Sequence, residues 1–385
     1  MSDETTSVAI IGAGVAGLAL GTLLRSRGID CILFERRSRA HVEQRQRAGV
    51  IDTRAVRMFR AWGLEERVVG GVPSAPVLNF RIDGQTRALA LDPDDHGDGR
   101  FCPQQVLVRN LIDVFVADGG DLRFDADDVS IENVTGDHPI VRCGDRVIRC
   151  DLIAGCDGDH GVSRTAIPAE RLARHAHEYG YAWLTVLADV RPTHQSMMAI
   201  HPRGFAGQFA RGPHASRFYL QCPLDDAAAE WTEPRIWDEL ETRFSEPMTR
   251  GRIASAQLVP IRSVVYSPMS YGRLHLLGDA AHIVPPMSAK GMNLALHDAE
   301  VLATAVIRYQ RDGDASLLAA YSPTCLAHVW SYQAFAAWWT DLIHDAGDAS
   351  HRGEFRRQIA RAELERLFAP GAANRLLSQL LAGLL

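Results

Sequence analysis

Val8-Ala9-Ile10-Ile11-Gly12-Ala13-Gly14-Val15-Ala16-Gly17, read together with Glu35, decides the fold of this 385-residue chain. The four apolar residues before Gly12 show no polar alternation, which is the pattern of a strand covered on both faces. A helix of small residues follows to about Arg27 and stops at Gly28. Asp30-Cys31-Ile32-Leu33-Phe34 is then a second buried strand ending at Glu35, so strand, helix and strand succeed each other as a β-α-β unit. Within G-x-G-x-x-G, Gly12 allows the tight turn, Gly14 lets a pyrophosphate approach the backbone, and Gly17 lets helix and strand pack closely. The helix start supplies amide donors and partial positive charge, and Glu35 is placed to accept from ribose hydroxyls. The alternative is a glycine-rich packing helix; strand, helix and distant acid all in place favour dinucleotide binding. The motif alone does not separate FAD from NAD.

Outward from this unit, residues 55–62 and 105–117 have helical periodicity, whereas 78–91 and 122–149 alternate like strands with Asp-Gly and Gly-Asp turns. Residues 151–156 form another apolar strand running into a Gly-rich turn. The middle, 179–262, is strand-rich, has a helix near 236–244 and carries no nucleotide signature. Residues 274–277 are one more strand, ending in Gly278-Asp279, and helices fill most of the chain from Gly291 onward. No repeat or long linker interrupts the pattern. This predicts an α/β chain whose regions are interleaved without clean domain cuts: a discontinuous Rossmann-like dinucleotide domain (1–72, 98–178 and 266–330), a β-sheet substrate domain (73–97 and 179–265) and a C-terminal helical region (331–385).

Composition excludes several classes. Apolar residues are 46% and charged residues 23%, ordinary for a globular chain. A net charge of -6 leaves no bulk positive field for nucleic acid or an anionic membrane. The seven cysteines are scattered without a C-x-x-C pair, which argues against a disulfide framework or zinc site and predicts a reducing cytoplasm. The uncharged stretch 8–24 is broken by glycines and preceded by Asp3 and Glu4, so it reads as part of the fold and neither as a signal peptide nor as a membrane span. G-x-S-x-G and H-E-x-x-H are absent, and His175-Ala176-His177 reads as a solvated pair, so no metal is expected. Of the 41 basic residues only Lys290 is a lysine. The arginine excess reads as genome composition.

Two further segments carry family information: Ile153-Ala154-Gly155-Cys156-Asp157-Gly158 with Ser163-Arg164, and Gly278-Asp279-Ala280-Ala281-His282-Ile283-Val284-Pro285-Pro286. With Arg47-Ala48-Gly49-Val50, Ile167-Pro168-Ala169-Glu170-Arg171-Leu172, His201-Pro202-Arg203-Gly204-Phe205 and Ala289-Lys290-Gly291-Met292-Asn293-Leu294, they make almost the whole chain resemble the single-component flavoprotein aromatic hydroxylases, most closely the 4-hydroxybenzoate 3-monooxygenase branch. The resemblance implies the 4-hydroxybenzoate hydroxylase-like fold, FAD as cofactor, a homodimer, and NADPH (with NADH as the alternative) and O2 as co-substrates. It also implies one oxygen atom delivered to an aromatic ring through a flavin C4a-hydroperoxide.

Carried over position by position, the resemblance gives Asp279 the ribityl and ribose side of FAD, and Arg45, Arg47 and Gln104 the pyrophosphate and ribityl chain. The Asp157-Gly158 turn serves FAD and the nicotinamide cofactor. Arg36, Arg37, Arg39 and His41 form a basic run suited to a ribose 2'-phosphate, and His160 and Arg262 hold the pyridine nucleotide. Pro286 places its carbonyl beside the reacting carbon, His282 and the loop to Lys290 line the flavin ring, and Gly291, Met292 and Asn293 begin a helix aimed at the reduced flavin. Lys290 is expected to support the anionic ring. For substrate, Arg211 matches the carboxylate-binding arginine and Tyr219 its helper, with His201 a polar partner. The departures are Phe209 in place of a serine, and Met198 and Leu381 in place of two tyrosines that bind and deprotonate the substrate phenol. The expected substrate is therefore a hydroxy- or amino-substituted benzoate. Oxygen transfer to nitrogen or carbonyl carbon, a flavin-dependent dehydrogenase or oxidase, and a non-catalytic scaffold are the alternatives.

Overall fold

The computed structural model describes residues 2–44, 49–75, 77–82, 84–344 and 353–385. The strand Ser2–Ile11 lies inside a sheet, between Cys31–Phe34 and Arg146–Gly155, both parallel to it. Asp121–Arg123 extends the sheet beyond Cys31–Phe34, and Leu274–Leu276 pairs in parallel with the end of Arg146–Gly155. Val8, Ala9 and Ile10 are fully buried, as expected of a strand with helices on both faces. One covering layer is the helix Val15–Arg25, buried from Val15 to Leu24. It packs against the helices Gln104–Ala117 and Gly291–Asp312.

The second sheet runs in the order His282–Ile283, Ile253–Ser267, Ala173–Ala188, Ser216–Pro223, Ala206–Ala210, Ser196–Ile200, Leu78–Ile82, Gln85–Leu89. Its strands alternate sharply. Leu184, Val186, Met197, Ala199, Phe218 and Leu220 form one core with Trp237 and Leu240 of the helix Glu233–Phe244. The residues between them, Trp183, Met198, Phe205 and Tyr219, join the larger core shared with the first sheet. A period of two thus assigns one face to the helix and the other to the core shared with the first sheet. The C-terminal helices Ser316–Ile343, Gly353–Phe368 and Ala372–Ala382 close over that second face, with the Phe80 ring meeting Trp339 and Phe368 edge-on at 6.0 and 5.3 Å.

The expected helices are present with earlier starts. Helix Thr53–Ala61 begins ahead of residue 55 because Asp52 caps it, accepting from the Ala55 amide at 3.0 Å. Helix Glu233–Phe244 begins ahead of 236 because Thr232 and Pro234 supply cap and first turn. The expected boundaries at 178/179 and 265/266 fall inside the long strands Ala173–Ala188 and Ile253–Ser267, so no linker separates the expected regions there. Among the described residues no helix is long and apolar enough to cross a membrane, and no group of His, Cys, Asp or Glu could hold a metal.

Candidate cofactor and substrate site

Register brings the cofactor signals together. Ile11 stands opposite Phe34 and Gly155, and Gly155 opposite Leu276, so the parallel strands end side by side. Gly12, Glu35, Cys156-Asp157 and Gly278-Asp279 therefore emerge at one edge, where open α/β sheets bind ligands. Gly12 has φ +106°, and a Cβ there would lie 2.5 Å from the Cys156 carbonyl oxygen. At Gly17 a Cβ would lie 2.0 Å from the Gly12 carbonyl oxygen, whereas at Gly14 it would meet nothing within 4 Å. Gly14 caps helix Val15–Arg25 without any side-chain hydrogen bond, leaving the first amides open to a ligand. Glu35 accepts from the Ala13 amide (2.8 Å) and the Arg37 amide (2.9 Å), so it braces the glycine loop as well as flanking it.

Asp157 accepts from the Ser163 amide (2.8 Å) and hydroxyl (2.9 Å) through one carboxylate oxygen, while the other is buried without a partner. Burial raises its pKa, opposed by those Ser163 bonds. A half-satisfied carboxylate suits a ligand hydroxyl or amide. Asp279 lies half-buried in the turn Gly278–Ala280. Gln104 opens helix Gln104–Ala117 against Gly49, where a Cβ would lie 3.0 Å from the Gln104 backbone nitrogen. Arg45 and Arg47 lie outside the described residues. The open glycine cradle, the free helix start and the unpartnered Asp157 oxygen fit a flavin dinucleotide.

The loop before helix Gly291–Asp312 is anchored from below. Asp298, fully buried on that helix, accepts from the Gly278 amide (2.9 Å) and pairs with His282 at 2.7 Å. Burial opposes both charges, but their mutual attraction outweighs it, raising the His282 pKa and lowering that of Asp298. His282 is therefore drawn inward and does not line a ring surface as expected. An acid on the mostly apolar buried stripe of helix Gly291–Asp312 is the only sequence signal that Asp298 carries, and it is not among the expected site residues. Pro286 is exposed, and its carbonyl accepts from the Ala289 amide at 3.0 Å. Ala289 holds φ +53°, unusual for a residue with a side chain, and Asn293 bonds its carbonyl and that of Val50, both at 2.9 Å. Lys290 offers no side-chain cap, so the Gly291 and Met292 amides begin the helix free.

Lys290 itself corrects an expectation. It is 2% exposed, and its ammonium donates to Asp52 at 2.8 Å and to the Leu381 carbonyl at 2.9 Å, 5.0 Å from the Tyr332 ring centre. Burial pulls its pKa down, with Asp52 opposing. The ammonium ties three parts of the chain together and is not directed at open space. Leu381 contributes through its backbone here.

On the second sheet, Met198, Gly207 and Tyr219 form one cross-strand row, and Ser196, Phe209 and Arg217 the next. Opposite residues share a face, so Arg211, two residues beyond Phe209, continues the same side. Gly207 lies between Met198, 2% exposed, and Tyr219, 8% exposed, and a Cβ there would come within 3.1 Å of the Phe205 ring and 3.2 Å of the Phe209 ring. Tyr219 leans on Trp183 at 4.8 Å and meets Phe209 edge-on at 5.8 Å. Arg211 donates to its neighbour's carbonyl, Ala210, at 3.0 Å and lies 5.6 Å from the Phe101 ring centre. Its Nη2 is buried without a hydrogen-bond partner. Burial lowers its pKa, partly offset by Tyr219 and reinforced by Arg217. Arg217, whose Nε is also buried without a partner, is a member of the site that sequence reading misses. His201 is not part of this group. It follows the opposite end of the Ser196–Ile200/Ala206–Ala210 pair from Arg211, roughly 16 Å along the strands, and borders a small hollow with Pro202, Arg357 and Arg361.

The nicotinamide candidates are dispersed and largely paired. Arg39 bonds Glu43 (2.6 Å) and Asp113 (2.7 Å), and the His41 amide donates to Ser38. Arg36 and Arg37 lie on an exposed bend after Glu35. Arg262 pairs with Asp159 at 2.5 Å, Arg164 reaches the same acid at 3.4 Å, and His160 stands 3.7 Å from it. Asp159 escapes sequence reading because a single acid inside a Gly-rich turn carries no motif.

The FAD binding domain family matches residues 5–336. The p-hydroxybenzoate hydroxylase of Acinetobacter baylyi is 33% identical over 399 residues, which cover 100% of this chain and 96% of that protein. Among solved structures, the chain is similar to the Diels-Alderase PyrE3 of pyrroindomycin biosynthesis, with TM-score 0.79, 20% identity, and coverage of 98% of this chain and 80% of that one. It is also similar to aklavinone-11 hydroxylase in ternary complex with FAD and aklavinone, with TM-score 0.76, 19% identity, and coverage of 92% and 71%. At these identities the structural likenesses speak for the fold alone, and one fold here hosts different chemistries.

Proposed function

The chain belongs to the FAD binding domain family of flavoprotein aromatic hydroxylases, and we propose that its substrate is an aromatic acid, a hydroxy- or amino-substituted benzoate, oxygenated with NADPH and O2 as co-substrates. FAD, when bound, supplies the redox and oxygen-activating chemistry. The protein's residues hold and shield it: Gly12, Gly14 and Gly17 with the helix start at the pyrophosphate, Glu35, Asp157 and Asp279 at hydroxyl groups, and the free Gly291 and Met292 amides as donors to negative charge.

The observation that carries the substrate reading is the buried, unpartnered Nη2 of Arg211. An unanswered donor on a buried cation is unfavourable, and a planar carboxylate satisfies it in fork geometry. Strands Ser196–Ile200, Ala206–Ala210 and Ser216–Pro223 carry no Asp or Glu that could do so. With Met198 and Leu381 where the family has tyrosines, the far end of the ring has no phenol-binding hydroxyl from those positions, which favours a ring activated by its own amino group or a phenol held differently. Arg211→Met should weaken benzoate binding at least about 100-fold, the loss of a charge-assisted bidentate contact. Titration of flavin absorbance with a panel of benzoates, followed by mass spectrometry of turnover products, tests this. A panel that neither perturbs the flavin nor stimulates NADPH oxidation removes the reading.

For the pyridine nucleotide, Asp159 already neutralises Arg262 and flanks Arg164 and His160. A phosphate arriving there competes with that carboxylate. Asp159→Asn should lower the NADPH KM several-fold, about 1 kcal/mol for a partly exposed pair, with the gain shrinking at high salt. An unchanged KM would mean that these cations do not touch the nucleotide.

A further inference from the structure

Phe209 occupies the position where the resemblance leads one to expect a carboxylate-binding serine, and the residue directly across the strand pair from it is Ser196. In an antiparallel pair, directly opposite residues project to the same side with their Cα atoms about 5 Å apart. Ser196 therefore faces the side that carries Phe209, Arg217, Met198 and Arg211. It is 0% exposed, and its hydroxyl has no hydrogen-bond partner. A sequestered hydroxyl of this kind is unfavourable unless something arrives to pair with it. The atoms left open on this face are complementary to one another's needs: the Ser196 Oγ–H, the Arg211 Nη2 and the Arg217 Nε can all donate to one anion.

We propose that Ser196 is a specificity-determining residue whose hydroxyl, delivered from the strand facing Phe209, donates to the substrate carboxylate alongside Arg211. The serine has moved across the strand pair, and the aromatic ring at 209 fills the volume it would otherwise occupy. Three neighbouring strands then supply the carboxylate contacts: Ser196 from one, Arg211 from the end of the next, and Tyr219 from the third. The fit is selective, because a fully buried hydroxyl has no solvent to fall back on when the ligand lacks an acceptor.

This inference rests on the aromatic-acid reading, and the test separates the two. Oxidised, FAD-loaded enzyme is titrated with 4-aminobenzoate and, as a neutral control, with 4-aminobenzamide, reading flavin absorbance. Ser196→Ala should raise the Kd for 4-aminobenzoate about tenfold and leave that for 4-aminobenzamide within about twofold. The nearly isosteric Ser196→Cys, a weak donor, should show the same selective loss and carries the test if alanine impairs folding. In Ser196→Ala/Phe209→Ser the hydroxyl returns from the facing strand and acid affinity recovers. Unchanged acid affinity in Ser196→Ala, while Arg211→Met abolishes it, overturns the role of Ser196 and leaves the acid reading standing. Equal losses for acid and amide make Ser196 structural and also overturn the proposal. Failure of benzoate, 4-aminobenzoate and 4-hydroxybenzoate alike to perturb the wild-type flavin overturns both.

Discussion

Gly17→Val is expected to yield protein that purifies without its flavin and regains little colour when FAD is added back. A Cβ at this position would sit 2.0 Å from the Gly12 carbonyl oxygen, 3.1 Å from Ile10 Cγ2 and 3.2 Å from Cys156 Cβ. The first obstacle is backbone and cannot rotate aside. Gly12 cannot retreat either, since it is held at φ +106° with its amide donating to the Phe34 carbonyl at 2.7 Å. The helix Val15–Arg25 must then lift away from the strands, taking with it the free amides that would meet the pyrophosphate. Crowding a packed interior costs about 1–3 kcal/mol or more, and the lost phosphate contacts add to it, so FAD affinity should fall at least about a thousandfold. Gly14→Ala is the informative contrast. Its Cβ meets nothing within 4 Å, so the melting temperature should hold while FAD binding weakens, because the methyl group stands where the pyrophosphate must approach. Apo-protein reconstitution followed by calorimetry distinguishes them. A Gly17→Val protein that stays yellow would show that the strand-helix contact is not what shapes the cradle.

The cofactor half of the molecule is readable from sequence because its constraints are local. Gly12, Gly17 and Glu35 act within a single β-α-β unit, and each strand that ends in Gly and Asp announces its own turn. The second sheet is readable as strands, but its site is not, because a face assembled across strands depends on register. Arg211 and Tyr219 emerge through the resemblance. Ser196 and Arg217 do not, since nothing in a linear string marks Ser196 as opposite Phe209. His201 shows the converse error: ten residues before Arg211 along a hairpin, it ends at the other end of the strands. Charge pairing is equally hidden. Arg39 and Asp113 are 74 residues apart and Asp159 and Arg262 are 103 apart, so both arginines look free until the chain is folded.

The strongest such case is the sole lysine, whose partner Asp52 is 238 residues away. Lys290→Met should destabilise the protein by about 3–5 kcal/mol, because it leaves a buried carboxylate without its cation. Asp52 is 3% exposed and its carboxylate caps helix Thr53–Ala61 by accepting from the Ala55 amide, so its charge cannot turn to solvent without undoing that cap, while its own backbone amide, donating to Asn293 Oδ1, holds the residue in place. The same substitution removes the donor to the Leu381 carbonyl and loosens helix Ala372–Ala382. Lys290→Arg keeps the charge but forces a longer planar group into a site that is 2% exposed, and should cost about 1–3 kcal/mol. The deciding variant is Asp52→Asn/Lys290→Met. Asparagine still caps a helix, both charges are gone, and the local net charge equals that of the wild type. Thermal melting should recover more than half of the single-mutant loss, and flavin reduction by the proposed nicotinamide co-substrate should return to within a few-fold of wild type. If stability recovers while reduction stays slow, the ammonium acts on the flavin beyond its tie to Asp52, and arginine-for-lysine exchange has been resisted at this one position for its chemistry and not for its packing.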